Sequence, residues 1–135
     1  MHTEARVEQL SRFPLFANCS KRQLRSLAAQ ARVEQIEPGE RLVSAGATSH
    51  DLYLVLAGSV RIERDGIDVD RVGPGGMVGE LGLLFDTPRN ANVITETPLE
   101  LLCLDRTALE RAMDEIPGLG RTLLATVAER LDQIR

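Results

Sequence analysis

An α+β fold, mainly β, is predicted for this 135-residue chain. Three observations predict it. The middle of the chain is a series of short apolar runs separated by Gly, Pro and Asp-Gly turns. Both ends carry amphipathic segments with helical spacing. With 43% hydrophobic residues, one Tyr, three Phe and no Trp, the chain has the material for one aliphatic core. Many short strands with regular turns indicate a sandwich or barrel rather than a parallel sheet. The length indicates a single domain over 1–135. Its expected parts are N-terminal helices over about 1–31, a β portion over about 32–104 and C-terminal helices over about 105–135.

At the N-terminus, Thr3 is placed to cap a short helix with Val7 and Leu10 on one face. Phe13-Pro14-Leu15-Phe16 then breaks the helix and supplies an apolar plug. Ser20-Lys21-Arg22-Gln23 has the form of a capping box, so a second helix is expected from Lys21 to about Ala31. Glu37-Pro38-Gly39-Glu40 reads as a turn into the short strand Arg41-Leu42-Val43. Asp51 to Ala57 is apolar and extended, Gly58 permits a sharp turn, and Val60 and Ile62 alternate with polar residues. Asp65-Gly66 signals a hairpin, after which Ile67, Val69 and Arg71 are expected on one face. Val93 to Thr95 and Leu99 to Leu104 supply two further strands. Asp105 is placed to cap a helix with Leu109, Ala112 and Met113 on its inner face. Pro117 is expected to open a last helix striped by Leu119, Leu123, Leu124, Val127, Leu131 and Ile134.

The charge balance, 20 acidic against 16 basic side chains, argues against direct nucleic-acid binding. Arg6, Arg12, Lys21, Arg22, Arg25 and Arg32 give the N-terminus a basic bias, but they fall on polar helix faces. Cys19 and Cys103 lie far apart with no CxxC spacing and read as reduced structural cysteines. No apolar run is long enough to span a membrane and no signal-peptide pattern opens the chain, so a cytoplasmic location is expected.

The chemistry concentrates between residues 72 and 93. Val72-Gly73-Pro74-Gly75-Gly76-Met77-Val78-Gly79-Glu80 is rich in glycine, which is costly in backbone entropy unless the backbone must approach something closely. The apolar residues after Glu80 suit one or two helical turns, whose free N–H groups and positive dipole end suit a phosphate. Arg89, nine residues on, adds a two-pronged cationic donor for the same anion. Glu80 would repel a phosphate and makes better sense as an acceptor for a sugar hydroxyl. A plain Glu80–Arg89 surface pair is the alternative, but it leaves the glycines unexplained.

Val78-Gly79-Glu80-Leu81-Gly82-Leu83, followed by Pro88-Arg89-Asn90-Ala91-Asn92-Val93, resembles the phosphate-binding cassette of the cyclic nucleotide-binding domains. The similarity extends to the Pro14-Leu15-Phe16 plug, the Pro38-Gly39 turn and the run from Tyr53 to Val60. The resemblance implies a double-stranded β-roll, jelly-roll-like, flanked by N-terminal and C-terminal helices. It implies a cyclic nucleotide ligand, cAMP preferred or else cGMP, bound without catalysis and without a catalytic cofactor. Glu80 would accept from the ribose 2′-hydroxyl, and Arg89 would pair with the cyclic phosphate. The N–H groups of Gly82 and Asn90 would donate to phosphate oxygens. Ile62, Val69 and Val78 would line the base and ribose side, and Gly79, Leu81 and Ala91 complete the implied ligand-binding set. The C-terminal helices would move on binding, and their surface would be read by a protein partner or a second copy.

Two features depart from the family pattern. Asn90 stands where Thr, Ser or Ala is usual, and the last helix has no aromatic residue to stack on a base. The chain also reads as a regulatory module cut from a larger transcription factor, channel or transporter, or as an interaction domain without ligand. A metal-dependent enzyme of similar strand pattern would need clustered ligands. The only histidines are His2 and His50, and no Ser/His/Asp or Cys/His set is evident.

Overall fold

A computed structural model of the chain describes residues 2–43, 51–79 and 91–133. Two compact units emerge, one of residues 1–31 and 107–135, the other Arg32–Arg106.

In the first unit, α1 (His2–Ser11) and α2 (Lys21–Gln30) are joined through a 3-10 turn, Pro14–Phe16. Thr3 lies inside α1 rather than at its cap. The capping box of α2 is complete. Gln23 N–H donates to Ser20 Oγ at 3.1 Å, and Ser20 N–H donates to Gln23 Oε1 at 2.8 Å. Val7, Leu10, Phe13, Leu15, Phe16, Leu24 and Leu27 are buried, as the spacing of the apolar residues requires. Two of the N-terminal basic residues pair with α1, Arg12 with Glu8 at 3.0 Å and Arg25 of α2 with Glu4 at 2.9 Å. At the other end of the chain lie α3 (Arg106–Glu115) and α4 (Leu119–Gln133). Pro117 does not open α4. Gly118, at φ +84°, separates it from the helix, because that conformation cannot be helical. On α3 the buried residues are Ala108, Leu109 and Ala112, while Met113 is half-buried. On α4, Leu119 and Leu123 are buried but Leu124 is 60% exposed, so the expected stripe is narrower there.

The second unit is the β-roll. Among the described residues it contains β1 (Arg32–Ile36), β2 (Arg41–Val43), β3 (Leu52–Ala57) and β4 (Val60–Arg64). The remaining strands are β5 (Ile67–Val72), β6 (Met77–Val78), β7 (Asn92–Thr95) and β8 (Leu99–Leu104). They form two antiparallel sheets, ordered β1-β8-β3-β6 and β2-β7-β4-β5. One core joins them. Tyr53, Val55, Val78, Leu99, Leu101 and Cys103 from the first sheet meet Val60, Val72 and Val93 from the second. The architecture matches the expected mainly β α+β fold.

Two strands go beyond the sequence reading. β1, Arg-Val-Glu-Gln-Ile, is a mostly exposed edge strand with too few apolar residues to signal itself. β6 is only two residues long. The β4–β5 hairpin turns at Asp65 (φ +54°) and Gly66 (φ +77°), the paired positive φ that Asp-Gly predicts. Ile67, Val69 and Arg71 do not share a face, however. Ile62 pairs with Asp70 and Glu63 with Asp68, so Val69 is the extra residue of a bulge. Beyond it the parity reverses, with Ile67 opposite Arg64 and Arg71 opposite Arg61.

Thr95 is the buried polar hub of the second sheet. Its hydroxyl donates to Glu37 O at 2.6 Å and accepts from Glu40 N–H at 2.9 Å. Its backbone oxygen accepts from Gly39 N–H at 2.7 Å, and its N–H donates to Glu40 O at 2.9 Å. Four bonds thus clamp the Pro38-Gly39 turn onto β7.

Candidate functional site

The segment with the chemistry is strung between the two sheets. It leaves the first sheet at β6, through Val78 and Gly79, and enters the second at β7, through Ala91 and Asn92. Glu80, Leu81, Gly82, Arg89 and Asn90 lie outside the described residues. The structure describes Ile62, Val69, Val78, Gly79 and Ala91.

Val78 is buried opposite Tyr53, and Ile62 packs half-buried against the same core cluster. These two therefore share the apolar interior of the roll. Gly79 follows β6 at φ +97°, where an L side chain would be strained. Ala91 is buried at the point of entry into β7. Val69 is set apart from that interior by the bulge and is 48% exposed.

Part of the glycine signal has a purely structural origin. Val55 N–H donates to Gly76 O at 2.9 Å, and Gly75 N–H donates to Val55 O at 3.0 Å. A Cβ on Gly76 would collide with Val72 Cγ1, and Gly75 sits at φ +89°. The close approach at 75–76 is thus made by strand β3 and by Val72.

A charged feature beside the candidate site was not anticipated from sequence. Glu63 and Asn92 face each other across β4 and β7. Asn92 Nδ2 donates to Glu63 Oε1 at 3.3 Å, and Arg61 Nη1 lies 3.5 Å from Glu63 Oε2. Nothing in the sequence couples positions 63 and 92 until the register of the two strands is known.

Both cysteines are free thiols. Burial raises the pKa of the half-buried Cys19. Burial, followed by the negative charge of Asp51, pushes the Cys103 thiol up to about 12, although Arg32 Nη2 donates to its Sγ at 3.1 Å. Neither is a nucleophile in this setting. Among the described residues, no group of three His, Cys, Asp or Glu could hold a metal ion. Among the described residues, no helix is long and apolar enough to cross a membrane.

The family model of the cyclic nucleotide-binding domain matches residues 33–115, which include the whole segment between β6 and β7. The chain is 30% identical over 110 residues to a cAMP-dependent protein kinase regulatory subunit of Yarrowia lipolytica. That match covers 82% of this chain and 29% of the relative. It is 31% identical over 133 residues to the acetyltransferase Pat of Mycolicibacterium smegmatis, covering 96% of this chain and 40% of the relative. The chain thus spans less than half the length of either. Among solved structures, the Thermus thermophilus catabolite activator protein aligns with a TM-score of 0.82 at 27% identity. That alignment covers 90% of this chain and 59% of the other.

Proposed function

The chain belongs to the cyclic nucleotide-binding domain family, a family of regulatory rather than catalytic domains, and from that premise we propose that it is a cAMP sensor. The observation that carries the reading is the sequence from Val78 to Val93, which leaves one sheet at β6 and joins the other at β7. Glu80 accepts from the ribose 2′-hydroxyl. Arg89 pairs with the cyclic phosphate, and the N–H groups of Gly82 and Asn90 donate to its oxygens. Val78 and Ile62, already together in the roll, flank the sugar and base, with Val69 at the margin; Gly79, Leu81 and Ala91 shape the backbone around them. cAMP is favoured over cGMP by the likeness to a cAMP-dependent protein kinase regulatory subunit; Asn90, whose side-chain amide can both donate and accept, leaves the base open on its own. Binding shifts the population toward a state in which the C-terminal helices are repositioned, and a partner protein or a second copy reads them.

Calorimetry with cAMP and cGMP tests the reading. Saturable heat with cAMP at lower concentration than with cGMP is expected. Absence of heat with both, up to millimolar ligand, overturns it. Arg89→Leu is expected to remove most of the affinity, since stranding a buried charge costs about 2–5 kcal/mol. A second reading, that the domain regulates a longer protein, is favoured by its fit to 29% and 40% of its two curated relatives. A full reading frame that both starts at Met1 and stops directly after Arg135 would exclude it.

A further inference from the structure

Five charged side chains near the hairpin bulge form one connected chain with Asn92. Arg61 and Arg71 oppose each other across β4 and β5, as do Glu63 and Asp68, so all four project from one face. Arg71 Nε lies 3.2 Å from Glu96 Oε1, and Arg71 Nη2 lies 3.5 Å from Asp68 Oδ2. Arg61 Nη1 donates to Asp68 Oδ1 at 3.2 Å and lies 3.5 Å from Glu63 Oε2. Glu63 Oε1 then accepts from Asn92 Nδ2 at 3.3 Å. Three carboxylates thus share two guanidiniums, and the remaining acceptor capacity, on Glu63, is directed at Asn92.

Asn92 is the first residue of β7, two positions after Asn90 and three after Arg89. Glu63 is only 21% exposed and is held from its other oxygen by Arg61. We infer that Glu63, braced by Arg61, is a positioning residue for the nucleotide site: its bond to Asn92 pins to β4 the start of β7, the strand that follows Arg89 and Asn90 in the chain. The inference rests on the cyclic nucleotide reading above. Isolated exposed ion pairs contribute little. This carboxylate instead has a directly opposed hydrogen-bond partner and sits in a network, where the geometry of one member depends on the next.

The test is cAMP affinity by calorimetry on the full chain, for Asn92→Asp, Glu63→Gln and their combination. Asn92→Asp sets a carboxylate against Glu63 and is expected to weaken cAMP binding about tenfold, the equivalent of one charge-assisted hydrogen bond. The double variant restores a donor–acceptor pair with the roles exchanged, and its affinity should return to within about twofold of wild type. A merely structural role would not produce that rescue in chains equally folded by circular dichroism. Should Asn92→Asp fail to fold, Glu63→Leu removes the same bond from the other strand and must weaken binding to a similar extent. Wild-type binding with unchanged variants overturns the inference and leaves the sensor reading standing. Weakening by Asn92→Asp without rescue also overturns it. A wild-type chain that binds no cAMP overturns both.

Discussion

Replacing Gly58 and Gly66 with alanine, one at a time, separates backbone conformation from packing in the roll. Both glycines sit at positive φ, +86° and +77°. Each substitution therefore carries the same left-handed penalty, about 1 kcal/mol. Their surroundings differ. A Cβ on Gly66 meets nothing within 4 Å. A Cβ on Gly58 would overlap the Pro98 carbonyl oxygen and lie 2.9 Å from Thr97 Oγ1 and 3.1 Å from Leu99 Cα. Thr97 Oγ1 has no freedom to retreat without cost, because it accepts from Ser59 N–H at 3.0 Å. Leu99 begins β8 and is buried in the core cluster. Relief must come from shifting the backbone of the 97–99 turn, an overpacking cost of about 1–3 kcal/mol. Gly58→Ala should thus lose about 2–4 kcal/mol, and Gly66→Ala about 1 kcal/mol. Urea unfolding followed by far-UV circular dichroism reads both. At a slope of about 1–2 kcal/mol/M, the two midpoints should differ by about 0.5 M or more. Equal midpoints would mean that the β3–β4 turn and the 97–99 turn do not approach as described.

Thr95→Val keeps shape and β-branching but removes the hydroxyl that satisfies Glu37 O and Glu40 N–H. Because residues 37–40 are exposed and water can partly replace those bonds, the expected loss is about 1–2 kcal/mol, read as a lower urea midpoint. The Cys103 thiol predicts an alkaline dependence. Its pKa is raised in the folded chain from 9.0 to about 12, so the folded state holds a proton that the unfolded chain releases between those values. The contribution is fully present below pH 9 and is lost as pH rises toward 12. The stability difference between wild type and Cys103→Ala should therefore shrink from pH 8 to pH 10.5 in urea titrations; a constant difference would contradict the burial of the thiol. In the sensor reading, Arg89→Leu should abolish cAMP heat while the ligand-free chain keeps a cooperative urea transition; loss of that transition would mean that the missing heat reports unfolding rather than a lost phosphate partner.

The elements legible in the sequence are those whose signal is local. The capping box at Ser20 and Gln23 is two residues bonding each other within one turn, and it forms as read. Asp65-Gly66 tolerates the left-handed region at both turn positions, Gly66 for want of a Cβ and Asp65 through its short polar side chain, and both φ angles are positive. Aliphatic runs such as Leu52–Ala57 and Leu99–Leu104 announce central strands because they pack against neighbours on either side. β1 gave no such signal, since only an edge position explains a strand with two charges in five residues, and edge position is a property of the sheet. Pro117 failed as a helix start for a related reason. Its fixed φ suits a first helical turn, but the same angle suits the turn preceding Gly118, and only the positive φ of Gly118 decides between them.

The candidate site divides along the same line. The succession from Val78 to Val93 is recognisable because its chemistry is contiguous in the chain. The glycines at 75 and 76 looked like part of that chemistry, yet they answer to Val72 and to the backbone of Val55, contacts set by how β5 and β6 return to β3. The bulge at Val69 has the opposite effect. One extra residue turns Asp68 toward Arg61 and Arg71 and gives Glu63 a braced carboxylate opposite Asn92. A bulge-free hairpin would keep Glu63 but place the neighbouring strand's side chains on the other face, taking Asp68 away from Arg61. A single inserted residue in β5 thus reaches, through two ion pairs and one hydrogen bond, the start of β7, the strand that follows the proposed phosphate-binding arginine in the chain.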